Sequence, residues 1–299
     1  MQRKKLAYAL ILPAVLAMVF VHIIPMVWGF LISFRGLNIT YIMNWTAAPF
    51  VGLENYIDGF SQVTTIGRRF VRSLINVGYF GFLTILIGYF LGLGVALLLN
   101  KRFPGRTFVR GLILLPYITP DTVVYNFWRF IFQARIGILN EMLKSLGIIE
   151  KNIVWLVGSR SLYAVAVAAI WKGWPFGALI LLAGLQTIPQ EIYEAAKIDG
   201  ASGWQRFKYI TFPYIKPVTK TFIIMNILWN FNAFNQFYVM LGSDPGLAAE
   251  VPSTLIMRQA FNHFEYGLGS ALSMILFGIM ILITAIYFYF FRIKSEEGV

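Results

Sequence analysis

Residues 194–213 read EAAKIDGASGWQRFKYITFP. This polar stretch lies between two apolar runs, at about 161–184 and 218–241, in a chain where only 13% of residues are charged and 58% are hydrophobic. Helix-forming residues from Gln190 to Ile198 follow Pro189, a residue suited to a first helical turn, and Gly200 stands where a left-handed cap closes a helix. Ser202 is placed to cap a second helix that runs through Tyr209 and ends at Pro213. Glu191 and Glu194 fall near the positive end of the first helix dipole, and Ala195 with Ala196 leave a bare surface. A rigid, small-faced knob of this kind suits docking into a partner's groove. It suits equally a connector that turns the chain around.

A mean hydropathy of +0.70 leaves too few polar side chains to cover a soluble domain, so lipid is the expected solvent. The net charge of +12 is carried by basic residues scattered beside apolar runs, a pattern that orients spans and argues against nucleic-acid binding. The chain has no cysteine, which excludes disulfides, thiolate nucleophiles and cysteine metal sites. His22 and His263 are far apart, so no metal or haem site is expected. No G-x-x-x-x-G-K-[ST] phosphate loop occurs, so the chain cannot hydrolyse nucleotide alone by that route.

After MQRKK, the apolar run of about residues 6–34 is too long for a cleavable signal and is read as a retained helix kinked at Pro13 and Pro25. Further spans are expected at about 73–99, 111–132, 161–184, 218–241 and 268–291, giving an all-α, polytopic single transmembrane domain with six spans and the polar loop at 185–217. A cytoplasmic N terminus places fourteen basic residues inside: Arg3, Lys4, Lys5, Lys101, Arg102, Arg106, Arg110, Lys197, Arg206, Lys208, Lys216, Lys220, Arg292 and Lys294. Eight remain outside (Arg35, Arg68, Arg69, Arg135, Lys144, Lys151, Arg160 and Arg258), so both termini and the loop are expected in the cytoplasm. The outer connections, 35–69 with FVGLENY and 133–160 with RIGILNEMLKSLGI, read as pore caps, partner surfaces or interfacial connectors, the latter with a short amphipathic helix.

The loop matches a longer pattern: Glu194, Ala195, Ala196, three residues, Gly200, nine residues, Ile210, one residue, then Phe212 and Pro213. This resembles the EAA signature loop of membrane subunits of binding-protein-dependent ABC importers, which more often carry leucine at the Phe212 position. LLPYITP at 114–120, WKGWPFGALILLAGLQTIPQEIYEAAKIDGA at 171–201 and FNAFNQFYVM at 231–240 are similar to the carbohydrate branch, the maltose-permease (MalF) type. The resemblance covers the chain from about Gly52 to the last span, and it implies a type I ABC importer permease fold in a bacterial or archaeal cytoplasmic membrane. It makes the loop a coupling helix docked on a separate ATPase, with Glu194, Ala195, Ala196, Asp199 and Gly200 as docking residues. It implies further partners: a second permease, expected to be a different chain, an extracytoplasmic binding protein and a sugar. ATP and magnesium belong to the ATPase, and this chain is expected to bind no cofactor and to be no enzyme.

Polar groups inside a span are costly and are functional candidates. On a regular helix Asn226, Asn230, Ala233 and Phe237 share a face with Trp229 at its edge, offering amides to hydroxyls and a ring to the C–H face of a sugar. Interhelical glue is the other reading, and Asn232 and Asn235, which point elsewhere on that helix, are assigned to it. In the MalF type the region of Gly173 and Phe176 also lines the sugar path, and Pro175 with Gly173 permits a local break in span four that would expose backbone to a cavity. Asp121 and Lys172 lie near the middles of spans three and four, where lone charges are expensive, so they are expected to pair or to be wetted by the cavity. An ion-coupled secondary transporter built on that pair is the alternative function, but it leaves the knob unexplained. A membrane enzyme for lipid substrates needs clustered acid–base groups, and Glu54 and Asp58 are alone.

Overall fold

A computed structural model describes residues 2–290, with the side chains of residues 2–7 and 9 excepted; Arg292 and Lys294, counted above for orientation, lie outside the described residues. All regular structure among the described residues is helical: α1 (Gln2–Met18), α2 (Ile24–Ile32), α3 (Glu54–Phe60), α4 (Thr65–Asn100), α5 (Arg106–Ile118), α6 (Asp121–Ile131), α7 (Ile138–Ser145), α8 (Ser159–Gln186), α9 (Gln190–Ile198), α10 (Gly203–Arg206), α11 (Phe212–Phe231), α12 (Asn235–Leu241), α13 (Pro252–Met257) and α14 (Tyr266–Phe290). Among the described residues, four stretches are long and apolar enough to cross a membrane, Leu10–Ile32, Thr65–Asn100, Ser159–Gln186 and Tyr266–Phe290. Spans three and five are each interrupted, as α5/α6 and α11/α12.

Proline explains where helices deform and where they do not. α1 runs through Pro13 without interruption, and the first irregularity is a wide π turn over Val19–Ile23, immediately before Pro25. A second π turn, Phe207–Thr211, precedes Pro213. Each wide turn contains the carbonyl four residues before the proline, the group the ring would otherwise strike. Pro213 therefore does not end the second loop helix: it sits in the first turn of α11, where no N–H is needed, and α10 passes through the π turn into span five. The local break that Gly173 and Pro175 would permit is not taken, since α8 is continuous and Pro175 is buried within it.

By internal contacts the chain forms two units, residues 1–71 with 255–279 and residues 72–254 with 280–299. In the first, Ile32, Leu37 and Ala48 form a small core, and Asn55 Nδ2 donates to the Ser33 and Arg35 carbonyls at 2.9 and 3.0 Å. Arg35 lies 5.5 Å above the Trp45 ring and donates to the Thr46 and Ala48 carbonyls. In the second unit, α4 and α8 touch backbone to backbone: a Cβ on Gly92 would sit 2.9 Å from Ala178 N, so only glycine allows this approach. Beside it Leu93, Ala96, Leu181, Leu185 and Ile215 form one buried cluster. A second cluster, with Phe80, Tyr125, Val165 and Phe237, packs α4, α6, α8 and α12 together. The amphipathic helix expected in 133–160 is α7, held by buried Asn140, whose amide bonds Ala134 O, Ile153 O and the Trp155 indole N–H.

Candidate functional site

The second unit holds a half-open cavity of about 610 Å³ between α4, the α5/α6 break, α8 and the α11/α12 break. Thr119 and Pro120 are both extended, with ψ 133° and 140°, which ends α5 and restarts the chain as α6. A break inside a membrane span exposes backbone groups that need partners. One side chain serves both ends here. Lys172 Nζ, on α8, donates to Thr119 O at 2.7 Å and Tyr117 O at 3.3 Å, where a cation complements a helix C-terminus. The same ammonium lies 3.1 Å from Asp121 Oδ1, on the first residue of α6, where negative charge is favoured by that helix dipole. The Lys172 side chain is 14% exposed and that of Asp121 43%, so the carboxylate is the more accessible charge in the cavity. Asn235 Nδ2 holds the other Asp121 oxygen at 3.3 Å.

Aromatic rings form the next wall. Tyr117 stacks on Phe176 at 5.7 Å, and Phe176 meets Trp229 edge-on at 5.0 Å. Gly173, Phe176, Asn226, Trp229, Asn230 and Ala233 all line the cavity with Asp121 and Lys172. The amides are partly engaged within the protein. Asn226 Nδ2 donates to Phe222 O at 2.8 Å and Asn230 Nδ2 to Asn226 O at 2.7 Å, while Asn230 Oδ1 accepts from Thr84 Oγ1 of α4 at 3.1 Å. Asn230 is thus an interhelical tie as well as a wall residue.

Regular helical phase turns Asn232 and Asn235 away from the cavity, yet both line it, because α11 ends at Phe231 and α12 starts afresh at Asn235. They also make the contacts between helices expected of them, Asn235 to Asp121 of α6 and Asn232 toward α14. The same reset carries Phe237 away from the wall into the core, 4.9 Å from Phe80. Asn232 also reaches Met280 Sδ at 3.8 Å. Tyr117 and Thr84 belong to the site and were not singled out by sequence; the signal for Tyr117 was its place in LLPYITP beside the break.

The loop is a separate surface. α9 ends in a Schellman motif: Ala201 N–H donates to Ala196 O at 2.9 Å and Gly200 N–H to Lys197 O at 3.1 Å, which requires the left-handed φ of +77° at Gly200. Ser202 and Gln205 form a reciprocal capping box on α10. Ile210 packs on the buried cluster of Leu181, Leu185 and Ile215, so the motif's isoleucine anchors the loop from beneath. Glu194, Ala195, Asp199 and Gly200 are exposed and Ala196 is half-buried. Ile198 and Trp204, 87% and 70% exposed, extend this face with apolar surface that the sequence reading did not name.

The helices of the described residues, with interrupted spans around a polar-lined cavity and a structured polar loop, define a multi-pass membrane transport permease. Residues 84–293 match the model of the binding-protein-dependent transport system inner membrane component, and the chain belongs to that family. It is 36% identical to the trehalose/maltose transport system permease protein MalF of Thermococcus litoralis, over 98% of this chain and 95% of that one. It is 30% identical to the trehalose transport system permease protein SugA of Mycobacterium tuberculosis, over 100% and 92%. The crystal structure of a bacterial ABC transporter involved in the import of the acidic polysaccharide alginate superimposes with a TM-score of 0.83 at 21% identity, covering 99% of this chain and 98% of that one, a likeness of fold.

Proposed function

We propose that this chain is one of two pore-forming permeases of an ATP-driven importer for a sugar or oligosaccharide delivered by an extracytoplasmic binding protein. The observation that carries the reading is the cavity: amides, a half-exposed carboxylate and three aromatic rings converge on one space, the chemistry that suits hydroxyls and C–H faces together. The names of the trehalose and maltose relatives support the same substrate class. Asn226, Trp229, Asn230, Ala233, Gly173 and Phe176 form this chain's half of the path. The partner permease, a different chain, supplies the rest.

The loop at 189–206 faces the cytoplasm, with both termini on that side, and docks an ATPase subunit through Glu194, Ala195, Ala196, Asp199 and Gly200. The excess of basic residues in the segments on that side supports this orientation. ATP and magnesium are held by the ATPase, and this chain makes and breaks no covalent bond. Closure of the ATPase pair displaces the loop, and the cavity alternates between faces. The ion-coupled alternative would use Asp121 and Lys172, but Lys172 is already committed to two carbonyls and one carboxylate, an arrangement that suits structural support.

The test is co-purification of wild type and Glu194→Arg with Gly200→Asp alongside the neighbouring gene products, followed by ATPase assays in lipid with candidate sugars and the binding protein. The reading expects wild type to bring down an ATPase stimulated by one sugar and the double variant to insert but lose that ATPase. Transport by wild type alone, unchanged by the loop substitutions, would overturn it.

A further inference from the structure

α5 is fastened to α8 at both of its ends. At its start, the side-chain amide of Gln186, on the last residue of α8, faces Arg106 Nη2 and Arg110 Nη2, and the amide orientation that satisfies both turns its oxygen toward them, at 3.2 and 2.8 Å. No carboxylate pairs with either guanidinium among the described residues, so the contact is a directional clamp on a neutral oxygen. At its far end, Lys172 of α8 holds the Tyr117 and Thr119 carbonyls, and Tyr117 stacks on Phe176. Between the clamps, Val109 and Ile113 pack with Leu181 and Leu185. From residue 172 to residue 186 is about 21 Å along α8, and α5 is about 20 Å long, so the two clamps match in reach.

Beyond the second clamp the ties to α8 are fewer, the Asp121 ion pair and the Trp128–Trp171 ring contact at 6.0 Å among them. Thr119 and Pro120 are extended, Pro120 has no N–H to give, and α6 packs chiefly along α12. We propose that α5 and α8 form a single strut that carries displacement from the docking loop to the cavity, with Gln186 the positioning residue at the loop end and Thr119–Pro120 the joint. Gln186 stands four residues before Gln190, where α9 begins, so a push on the loop reaches the strut there first. Along the strut, motion arrives where Lys172 faces Asp121, one group on each side of the joint. This rests on the importer reading, in which the loop is what the ATPase moves.

The absence of cysteine makes the experiment direct, because every introduced label is unique in this chain. Spin labels at Leu112 on α5, Leu179 on α8 and Phe127 on α6 would be measured in pairs, in the assembled transporter with label-free partners, without nucleotide and with ATP trapped. The α5–α8 distance is expected to hold within about 1 Å while the α5–α6 distance shifts by more than about 2 Å. An α5–α8 change as large as the α5–α6 change overturns the strut. Gln186→Leu is expected to keep the ATPase bound yet lower sugar transported per ATP by about tenfold, and Gln186→Glu, which restores an acceptor for both guanidiniums, to stay within about twofold of wild type. Unaltered coupling in Gln186→Leu overturns the assignment. So does loss of the bound ATPase in both Gln186→Leu and Arg110→Met, which would make the clamp a part of loop folding. A wild type that answers no sugar would instead break the importer reading, while the distance pattern still judges the strut.

Discussion

The loop and the cavity are built from contacts of opposite range. The bonds that shape residues 196–206 join residues three to five apart: Ala201 to Ala196, Gly200 to Lys197, Ser202 to Gln205 and Arg206 to Ala201. Those that shape the cavity join residues 53, 114 and 146 apart: Lys172 to Thr119, Asn235 to Asp121 and Thr84 to Asn230. A surface made locally keeps its form whichever way its neighbours move, which suits a part that must hold a partner through a cycle. A cavity made across helices changes whenever one helix shifts, which suits a part that must release what it binds.

The contrast would be broken most forcefully at the ion pair. Lys172→Met leaves Asp121 without its cation and two carbonyls of the α5 end without a donor. Breaking a buried pair costs about 3–5 kcal/mol, and solvent reaching Asp121 reduces this toward about 2, so transport is expected to fall about thirtyfold. Adding Asp121→Asn should recover most of that loss, because the stranded charge goes with it. Sugar uptake in a double-mutant cycle reads the coupling, and simple additivity would show that the two residues act independently.

The loop comes next. Gly200→Val places a branched side chain at φ +77°, at a cost of about 1–2 kcal/mol, while Gly200→Asn tolerates that conformation. ATPase retention on purification is expected to drop about tenfold for valine and little for asparagine. Equal losses would mean that the backbone conformation is not what the partner requires. At the cavity wall, Trp229→Ala removes the ring that meets Phe176 and should raise the sugar KM about fivefold without altering ATPase retention. A change in retention with KM untouched would exchange the roles assigned to the two regions.

Legibility in the sequence follows the same division. Gly200, Ser202 and the first loop helix were readable because their causes lie within a few residues, and four of the expected spans were readable from length and composition, while the other two are interrupted as α5/α6 and α11/α12. The phase of span five was not. That Asn232 and Asn235 line the cavity as well as tie helices follows only once the chain is known to leave the helix after Phe231, and no proline or glycine lies between Phe231 and Asn235 to announce it. Pro213 misled in the other direction, because a π turn absorbs a ring that would end a solvated helix. That Lys172 sits within reach of Asp121 was a question the sequence could pose; its two carbonyl partners belong to a break visible only in three dimensions.

The smallest expected effect is the sharpest check on local construction. Ser202→Ala removes the side chain that accepts from Gln205 N–H at 3.3 Å and leaves the reciprocal bond, Ser202 N–H to Gln205 Oε1 at 2.7 Å, without its counterpart. A lost cap costs about 1 kcal/mol, which corresponds to about fivefold faster amide exchange if opening is confined to α10. Ile210 remains packed beneath and the Gly200 motif remains closed, since neither depends on the serine. Exchange should therefore quicken at residues 204–206 alone, with ATPase retention and transport unchanged. Were the acceleration to spread into α9 or to residues lining the cavity, the loop would be one cooperative unit with the bundle, and the separation of a rigid docking surface from a deformable cavity would fail.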